Sequence, residues 1–221
     1  MDTYVTNFTL NDLSFMAQGA VITFVLTIAS GVIGTVIGFL VGWARTLKNR
    51  TIYYILGAYI DVIRSIPLII QFVLFNSFMA IAGQPLNPFF SGLITLSIYI
   101  SGYIAEVVKA GIDSVPMVTR MAARGLGMTY LQEFFHIVVP IGVRTIFPAW
   151  TGLILGLMKD TSLIAVLGAT PPELLRSSQI IINRIQQPLG ILLGAGLFYF
   201  IMCYVIANLS QRLESKWQVV R

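Results

Sequence analysis

The sequence predicts an all-α integral membrane protein with five transmembrane helices. Of its 221 residues, 57% are hydrophobic and only 10% are charged, whereas soluble domains carry about 25% charged residues. Charge-free stretches such as Leu13–Ala44 exceed the roughly 20 residues that a helix needs to cross a membrane. Basic residues gather beside particular ends of these stretches. The length fits a single transmembrane domain over residues 1–221.

Charged and turn-forming segments set the limits of the predicted spans. Arg45, Lys48 and Arg50 follow the first stretch directly. The long charge-free run Ser65–Ala105 breaks at Gly83–Pro88, which gives a second and a third span. The predicted spans cover residues 13–44, 56–82, 88–112, 141–160 and 187–211. Within the first span, Gly34, Gly38 and Gly42 lie four residues apart, which predicts close approach of a neighbouring helix; the alternative is that glycine is simply common in membrane helices.

The distribution of basic residues predicts the orientation. Under the positive-inside rule, the basic residues that flank spans lie in the cytoplasm. This places the N-terminus outside, the C-terminus inside and residues 115–140 in the cytoplasm. Ten basic residues then share the inner side: Arg45, Lys48, Arg50, Lys109, Arg120, Arg124, Arg144, Arg212, Lys216 and Arg221. The net charge of +5 is therefore a membrane signal and gives no reason to expect nucleic-acid binding.

Residues 115–140 predict two short helices separated by a glycine. Pro116 suits the first turn of a helix, and Gly127 is placed to end that helix in a left-handed conformation. Thr129 and Gln132 have the spacing of a capping box, which predicts the start of a second helix. Pro140 is expected to close the segment.

This segment resembles the "EAA" loop of ABC-importer permeases, in which Glu-Ala-Ala is followed by three residues, Gly, nine residues and Ile-x-Leu-Pro. Met121 stands where the family has Glu, and Val139 stands for Leu. The resemblance implies a coupling helix that docks on a cytoplasmic ATPase. The alternative is an ordinary amphipathic loop between two membrane helices. We call residues 115–140 the coupling loop; the residues assigned to ATPase coupling are Met121, Ala122, Ala123, Arg124, Gly127, Ile137 and Pro140.

Two more stretches resemble permeases of polar amino-acid importers. Arg64–Leu68 is similar to the Arg-Gly-Thr-Pro-Leu stretch of that family, and Ser101–Pro116 is similar to its Ala-Glu-Val-x-Arg-Gly-Gly-Ile-x-Ser-Val-Pro stretch. Asp61 and Arg64 are three residues apart, so they are expected to meet on one helix face. We predict a structural ion pair that anchors the helix end, with direct substrate contact as the alternative.

Asp160 is the leading candidate for substrate contact. Fifteen helical residues after Arg144 rise only about 22 Å, short of the roughly 30 Å hydrocarbon core, so Asp160 is expected inside the protein. A buried carboxylate needs a partner, which is either Lys159 or the ammonium group of a transported amino acid. Lys159–Leu163 resembles the Lys-Asp-Thr-Ser-Leu signature of amino-acid permeases, which implies that this segment lines the central pathway. A purely structural role for Asp160 is the alternative.

Hydroxyl and amide side chains extend the predicted substrate site. Thr161 and Ser162 follow Asp160 directly. Polar residues at membrane depth usually face the helix bundle rather than lipid. The predicted substrate-binding residues are therefore Asp160, Thr161, Ser162, Gln71, Ser97 and Ser101.

Several chemistries are missing from the sequence. There is no Gly-x-x-x-x-Gly-Lys-Ser/Thr segment with which the chain would hold ATP. His136 and Cys203 are the sole histidine and cysteine, too few for a metal cluster or a thiol dyad. We therefore expect no catalytic residues, no metal and no bound cofactor, with ATP and Mg²⁺ held by a partner.

The resemblance implies a permease subunit of an importer with type I ABC architecture in a bacterial cytoplasmic (inner) membrane. Its implied cargo is a polar or charged amino acid, or an amino-acid-like compound such as an opine. Its implied partners are two cytoplasmic ABC ATPase subunits, a second permease subunit (identical or similar), a periplasmic or lipid-anchored solute-binding protein, and membrane lipid. One alternative is a secondary transporter driven by an ion gradient, with Asp160 or Glu106 as the ion carrier. Another is a membrane scaffold without transport.

Overall fold

The computed structural model describes residues 7–218, and helices dominate throughout. Arg221, one of the ten basic residues counted above, lies outside the described residues. The α-helices are α1 (Leu10–Ala44), α2 (Arg50–Ser65), α3 (Leu68–Ile81), α4 (Pro88–Asp113), α5 (Met117–Gly125), α6 (Tyr130–Glu133), α7 (Val139–Asp160), α8 (Leu174–Ile185) and α9 (Pro188–Gln218). A π-helical segment, Phe134–Val138, joins α6 to α7, and a 3₁₀ segment, Thr161–Leu167, follows α7.

Four helical stretches within the described residues are long and apolar enough to cross a membrane: Leu10–Ala44, Pro88–Asp113, Tyr130–Leu167 and Pro188–Lys216. Helices α2 and α3 would make a fifth if the broken pair counts as one span. The break falls at Ile66 and Pro67, because proline has no N–H to donate and disfavours helical geometry in the residue before it. The predicted all-α membrane fold is confirmed, while the limits of each span and the single domain over residues 1–221 stay predictions.

The chain forms two compact units. Unit 1 contains Met1–Gly31, Ile66–Ser97 and Leu155–Ala207, and unit 2 contains Val32–Ser65, Ile98–Ile154 and Asn208–Arg221. In unit 1, buried side chains of α1, α8 and α9 form a core that includes Met16, Ile181 and Ile191. The Nη2 atom of Arg184 donates a hydrogen bond to Oδ1 of Asp12 at 2.5 Å. This ion pair ties the end of α8 to the start of α1.

Unit 2 is organised around close contact between α1 and α4. A Cβ atom added at Gly42 would lie 2.5 Å from the carbonyl oxygen of Ala105, and one added at Gly38 would lie 2.8 Å from that of Ser101. No larger residue fits at either position without displacing backbone. The close helix approach predicted from the glycine spacing is therefore confirmed at these two positions.

The secondary structure of the coupling loop agrees with the prediction except at its last residue, Pro140. Pro116 immediately precedes α5, Gly127 has a φ of +88°, and Thr129 forms both hydrogen bonds of a capping box with Gln132. The prediction that Pro140 closes the segment is wrong, because the chain continues helically through Pro140 into α7. Pro140 is the second residue of α7, and a helix tolerates proline in its first turn.

Candidate functional site

An ion triad around a buried carboxylate holds the two short helices of the coupling loop together. The side chain of Glu133 is fully buried. Its Oε1 accepts a hydrogen bond from Nε of Arg120 at 2.6 Å, and its Oε2 accepts one from Nε of Arg124 at 2.5 Å. Because the arginines belong to α5 and the glutamate to α6, the triad joins the helices on both sides of Gly127. Charged hydrogen bonds of this kind are among the strongest that side chains make.

An aromatic cluster connects the coupling loop to α1 within unit 2. Phe134 follows Glu133 directly and is buried. Its ring centroid lies 5.8 Å from that of Trp43 and 6.4 Å from that of Phe39. Since interiors are close-packed, a displacement of α6 has to be accommodated by these rings of α1.

The exposed surface of α5 includes an apolar patch. Met121 is 56% exposed, and Met117 and Val118 are more exposed still. Of the two alanines of the motif, Ala122 is exposed while Ala123 is buried against its own chain. The two do not form one flat docking surface, because neighbouring helical residues point in directions about 100° apart. Of the remaining residues assigned to coupling, Arg124, Gly127 and Pro140 are exposed and Ile137 is half-buried.

The predicted ion pair between Asp61 and Arg64 is not among the salt bridges of residues 7–218. The guanidinium of Arg64 instead lies over the Tyr103 ring, 5.2 Å from its centroid, in a cation–π contact. Both charged residues are exposed, and exposed pairs gain too little to outweigh the ordering of two side chains. An unpredicted ion pair joins Arg45 to Glu106.

Asp160 lies at the junction of α7 and the 3₁₀ segment, within unit 1. Its side chain is half-buried, while Lys159 is exposed. Asp160 makes no salt bridge among residues 7–218, although the charge of neighbouring Lys159 still attracts it. Thr161 is buried, and its hydroxyl donates to the carbonyl of Met158 at 2.7 Å. Ser162 is half-buried.

The other predicted substrate residues divide between the two units. Gln71 lies on α3, which packs against the 3₁₀ segment, and its Nε2 donates to the carbonyl of Ile66 at 2.8 Å. Ser97 is buried, and its hydroxyl donates to the carbonyl of Leu93. Ser101 belongs to unit 2, where its hydroxyl lies 2.7 Å from that of Tyr59. The structure thus brings the helix of Gln71 against the Asp160 region and gives Ser101 a structural partner.

A second buried glutamate was not predicted from the sequence. The fully buried Glu173 caps the start of α8 by accepting hydrogen bonds from the backbone N–H groups of Leu175 and Arg176, each at 2.7 Å. The Tyr199 hydroxyl donates to Glu173 at 3.3 Å. Burial raises the pKa of Glu173 to about 7, although the backbone hydrogen bonds oppose the rise. The sequence signal is weak, because glutamate is not among the residues favoured at helix N-caps.

Tyr199 extends this network toward Asp160. Besides Glu173, its hydroxyl interacts with the side chains of Thr23 and Thr161. Thr23 also accepts a hydrogen bond from the backbone N–H of Leu174 at 3.2 Å. All of these residues belong to unit 1. The network therefore fixes Thr161, the residue after Asp160, to α1, α8 and α9.

Comparison with known proteins identifies the class of this chain. Residues 34–219 match the family described as binding-protein-dependent transport system inner membrane component, and the chain belongs to that family. It is 30% identical to the L-cystine transport system permease protein TcyB of Bacillus subtilis, over 91% of this chain and 86% of that one. It is 29% identical to the glutamine transport system permease protein GlnP of Escherichia coli, over 94% and 95%.

Solved structures agree with this assignment. A crystal structure of an amino acid ABC transporter with histidines superposes with a TM-score of 0.84, at 26% identity over 95% of this chain and all of that one. The inward-facing MetNI methionine ABC transporter has the same TM-score at 21% identity, over 95% of this chain and 99% of that one, and shows the shared fold.

The predicted resemblance to permeases of polar amino-acid ABC importers and the predicted type I architecture are confirmed. The chain is an inner-membrane transport subunit and not an enzyme, and ATP hydrolysis belongs to separate ATPase subunits. These similarities favour an ATP-driven importer over a secondary transporter driven by an ion gradient.

Proposed function

We propose that this permease carries an amino acid, or an amino-acid-like solute such as an opine, by alternating access. The relatives named for cystine and glutamine transport support this proposal, as does the Lys159–Leu163 signature. The cargo is delivered by a periplasmic or lipid-anchored binding protein. The N-terminus lies outside and the C-terminus lies in the cytoplasm.

The working unit of this proposal contains two permease subunits and two ABC ATPases. The second permease subunit is another copy of this chain or a similar one. ATP and Mg²⁺ are held by the ATPases, and this chain holds neither. Closure of the ATPase dimer moves the coupling loop, and the triad of Arg120, Arg124 and Glu133 makes its two short helices move together. The aromatic contacts of Phe134 carry that movement to α1.

Asp160 is the proposed contact for the cationic part of the cargo. The observation that carries this role is a half-buried carboxylate without a salt bridge among the described residues, beside the hydrogen-bonded Thr161. A carboxylate at membrane depth is costly unless it has a partner or a task. An ammonium group of the cargo supplies the missing positive charge. The other proposed substrate contacts in unit 1 are Thr161, Ser162, Gln71 and Ser97, and Ser101 in unit 2 stays a prediction from the sequence.

Uptake of labelled amino acids into proteoliposomes that contain the complete importer tests the substrate site. Asp160→Asn is expected to abolish uptake while the ATPases still copurify with the permease. Asp113→Asn is the matched control, because Asp113 is an exposed carboxylate paired with Lys109. Unchanged uptake by the Asp160→Asn importer would remove Asp160 from the site.

Association with the ATPase tests the coupling surface. Met121→Lys places a charge on the exposed apolar side of α5 and is expected to weaken binding of the ATPase at least tenfold. Ile81→Lys is the control, since Ile81 is an exposed apolar residue at the end of α3, in the other unit. If both importers bind the ATPase equally well, α5 is not the docking helix.

A further inference from the structure

A positively charged cleft lies beside α5, within unit 2. Its volume is about 480 Å³. Three cationic side chains and one carboxylate line it, which leaves an excess of two positive charges. Residues from the connection between α1 and α2 form one wall, and residues of α5 and α6 form the others. The lining residues are Thr46, Leu47, Lys48, Met117, Arg120, Met121, Arg124, Tyr130 and Glu133.

The arginines of the ion triad keep unused hydrogen-bonding capacity. Each donates to Glu133 only through Nε, and a guanidinium has four further N–H donors. No hydrogen bond from the terminal nitrogens of Arg120 or Arg124 occurs among residues 7–218. Glu133 therefore orients both guanidinium groups without using up their terminal N–H groups, which remain available to an incoming anion.

The apolar rim of the cleft favours a protein partner over a small anion. Met117 and Met121 line the cleft together with the charged groups, and both belong to the surface of α5 proposed to contact the ATPase. Met121 is uncharged, so its position adds no acidic group to the cleft. The cleft thus combines an apolar contact with an excess of positive charge, and its partner needs the opposite charge.

We infer that the cleft formed by Lys48, Arg120 and Arg124 receives an acidic side chain of the ATPase subunit. The inference rests on the proposed docking of α5 and adds the charge of the surface that it meets. An aspartate or glutamate carboxylate accepts the terminal N–H groups of the arginines, in the geometry that favours two parallel hydrogen bonds. Lys48 is exposed and contributes long-range attraction from the opposite wall.

Zero-length cross-linking of the assembled importer with a carbodiimide tests the inference directly. The reagent joins a lysine amine to a carboxylate that touches it. Mass spectrometry is expected to find Lys48 joined to an aspartate or glutamate peptide of the ATPase. Lys216 is the control, because it is an exposed lysine near the end of α9 outside the cleft. If the ATPase copurifies but Lys48 forms no cross-link to it, the inference is overturned.

Binding measurements on the same importer supply the second readout. Lys48→Gln is expected to weaken ATPase binding about threefold and Lys48→Glu about tenfold, because like charges then face each other. The loss is expected to shrink at 500 mM NaCl, where charges are screened within a few ångströms. Lys216→Gln is expected to leave binding unchanged. Lys48→Gln and Lys48→Glu leave the triad of Arg120, Arg124 and Glu133 unchanged. A loss of ATPase binding in these variants therefore does not reflect a folding defect of the coupling loop.

Two outcomes contradict the inference in different ways. If the Lys48 variants weaken binding only in vesicles that contain phosphatidylglycerol, the cleft binds anionic lipid and not the ATPase. If Met121→Lys weakens binding while both Lys48 variants bind normally, the ATPase docks on α5 without an acidic group in the cleft. If wild-type permease and ATPase do not associate at all, it is the proposed function that fails.

Discussion

Two fully buried glutamates in this permease are stabilised in opposite ways. Glu133 in the coupling loop accepts hydrogen bonds from two arginines. Glu173 in unit 1 accepts them from two backbone N–H groups and a tyrosine hydroxyl, without a salt bridge among the described residues. Guanidinium groups stay charged at any ordinary pH, so Glu133 is held as an anion. Glu173 relies on dipoles, and burial brings its pKa to about 7.

The different partners of Glu133 and Glu173 fit the different roles proposed for the two regions. In the proposed function the coupling loop moves as one piece when the ATPase pulls on it, and a charged triad across Gly127 resists separation of its helices. The network around Glu173 fixes the start of α8 and the position of Thr161 next to the proposed substrate site.

The largest expected effect comes from breaking the triad. Glu133→Gln leaves two arginines without their anion and is expected to lower the free energy of unfolding by about 2–3 kcal/mol, at the low end for broken buried pairs because Arg124 is half exposed. Thermal unfolding of the purified permease measures the change. Asp113→Asn breaks an exposed pair with Lys109 and is expected to cost less than about 0.5 kcal/mol. Equal losses in the two variants would mean that Glu133 is not held by charge.

Removal of Glu173 is expected to cost less. Glu173→Ala removes a helix cap, which is worth about 1–2 kcal/mol, and it is expected to lower the stability of unit 1 without changing ATPase binding. Hydrogen exchange at the backbone N–H groups of Leu175 and Arg176 reports the loss locally. Glu133→Gln serves as the contrast, since it should leave exchange at these two groups unchanged. Loss of ATPase binding in Glu173→Ala would contradict the separation of roles.

The pH dependence of stability separates the two glutamates further. The pKa of Glu173 is raised to about 7 in the folded protein. The stability that this carboxyl group contributes is therefore fully present below its unfolded pKa of about 4.5 and is lost as pH rises through 7. Wild-type stability is therefore expected to fall between pH 5 and pH 8 relative to Glu173→Gln, by about 1 kcal/mol per pH unit at most. Parallel pH profiles of the two proteins would show that Glu173 titrates normally.

The smallest expected effect comes from the tyrosine. Tyr199→Phe removes the hydroxyl that donates to Glu173 while keeping the ring, with an expected loss of about 0.5–1 kcal/mol. It is also expected to lower the affinity of the importer for its cargo, because Thr161 loses a fixed partner. Tyr204→Phe is the control, as Tyr204 is an exposed tyrosine of the same helix. Equal cargo affinity in both variants would limit Tyr199 to a structural role.

Local features of the fold were predicted well because their partners are close in sequence. The capping box of Thr129 and Gln132 and the left-handed Gly127 each depend on a few adjacent residues, and both are found as predicted. The same local reasoning failed at Pro140, which lies in the first turn of α7 and does not end the helical segment. It failed again for Asp61 and Arg64, because spacing along one helix shows that two charges can meet and not that they do.

The sequence by itself determined that this is a helical membrane protein of the importer class. Its scarcity of charge, its long apolar runs and its short motifs require no knowledge of how helices pack. Only the tertiary structure decided which charges pair, as with Arg45 and Glu106, and that Tyr199 reaches Glu173. These partners lie 61 and 26 residues apart, and only the packing of separate helices brings such distant residues within hydrogen-bonding distance.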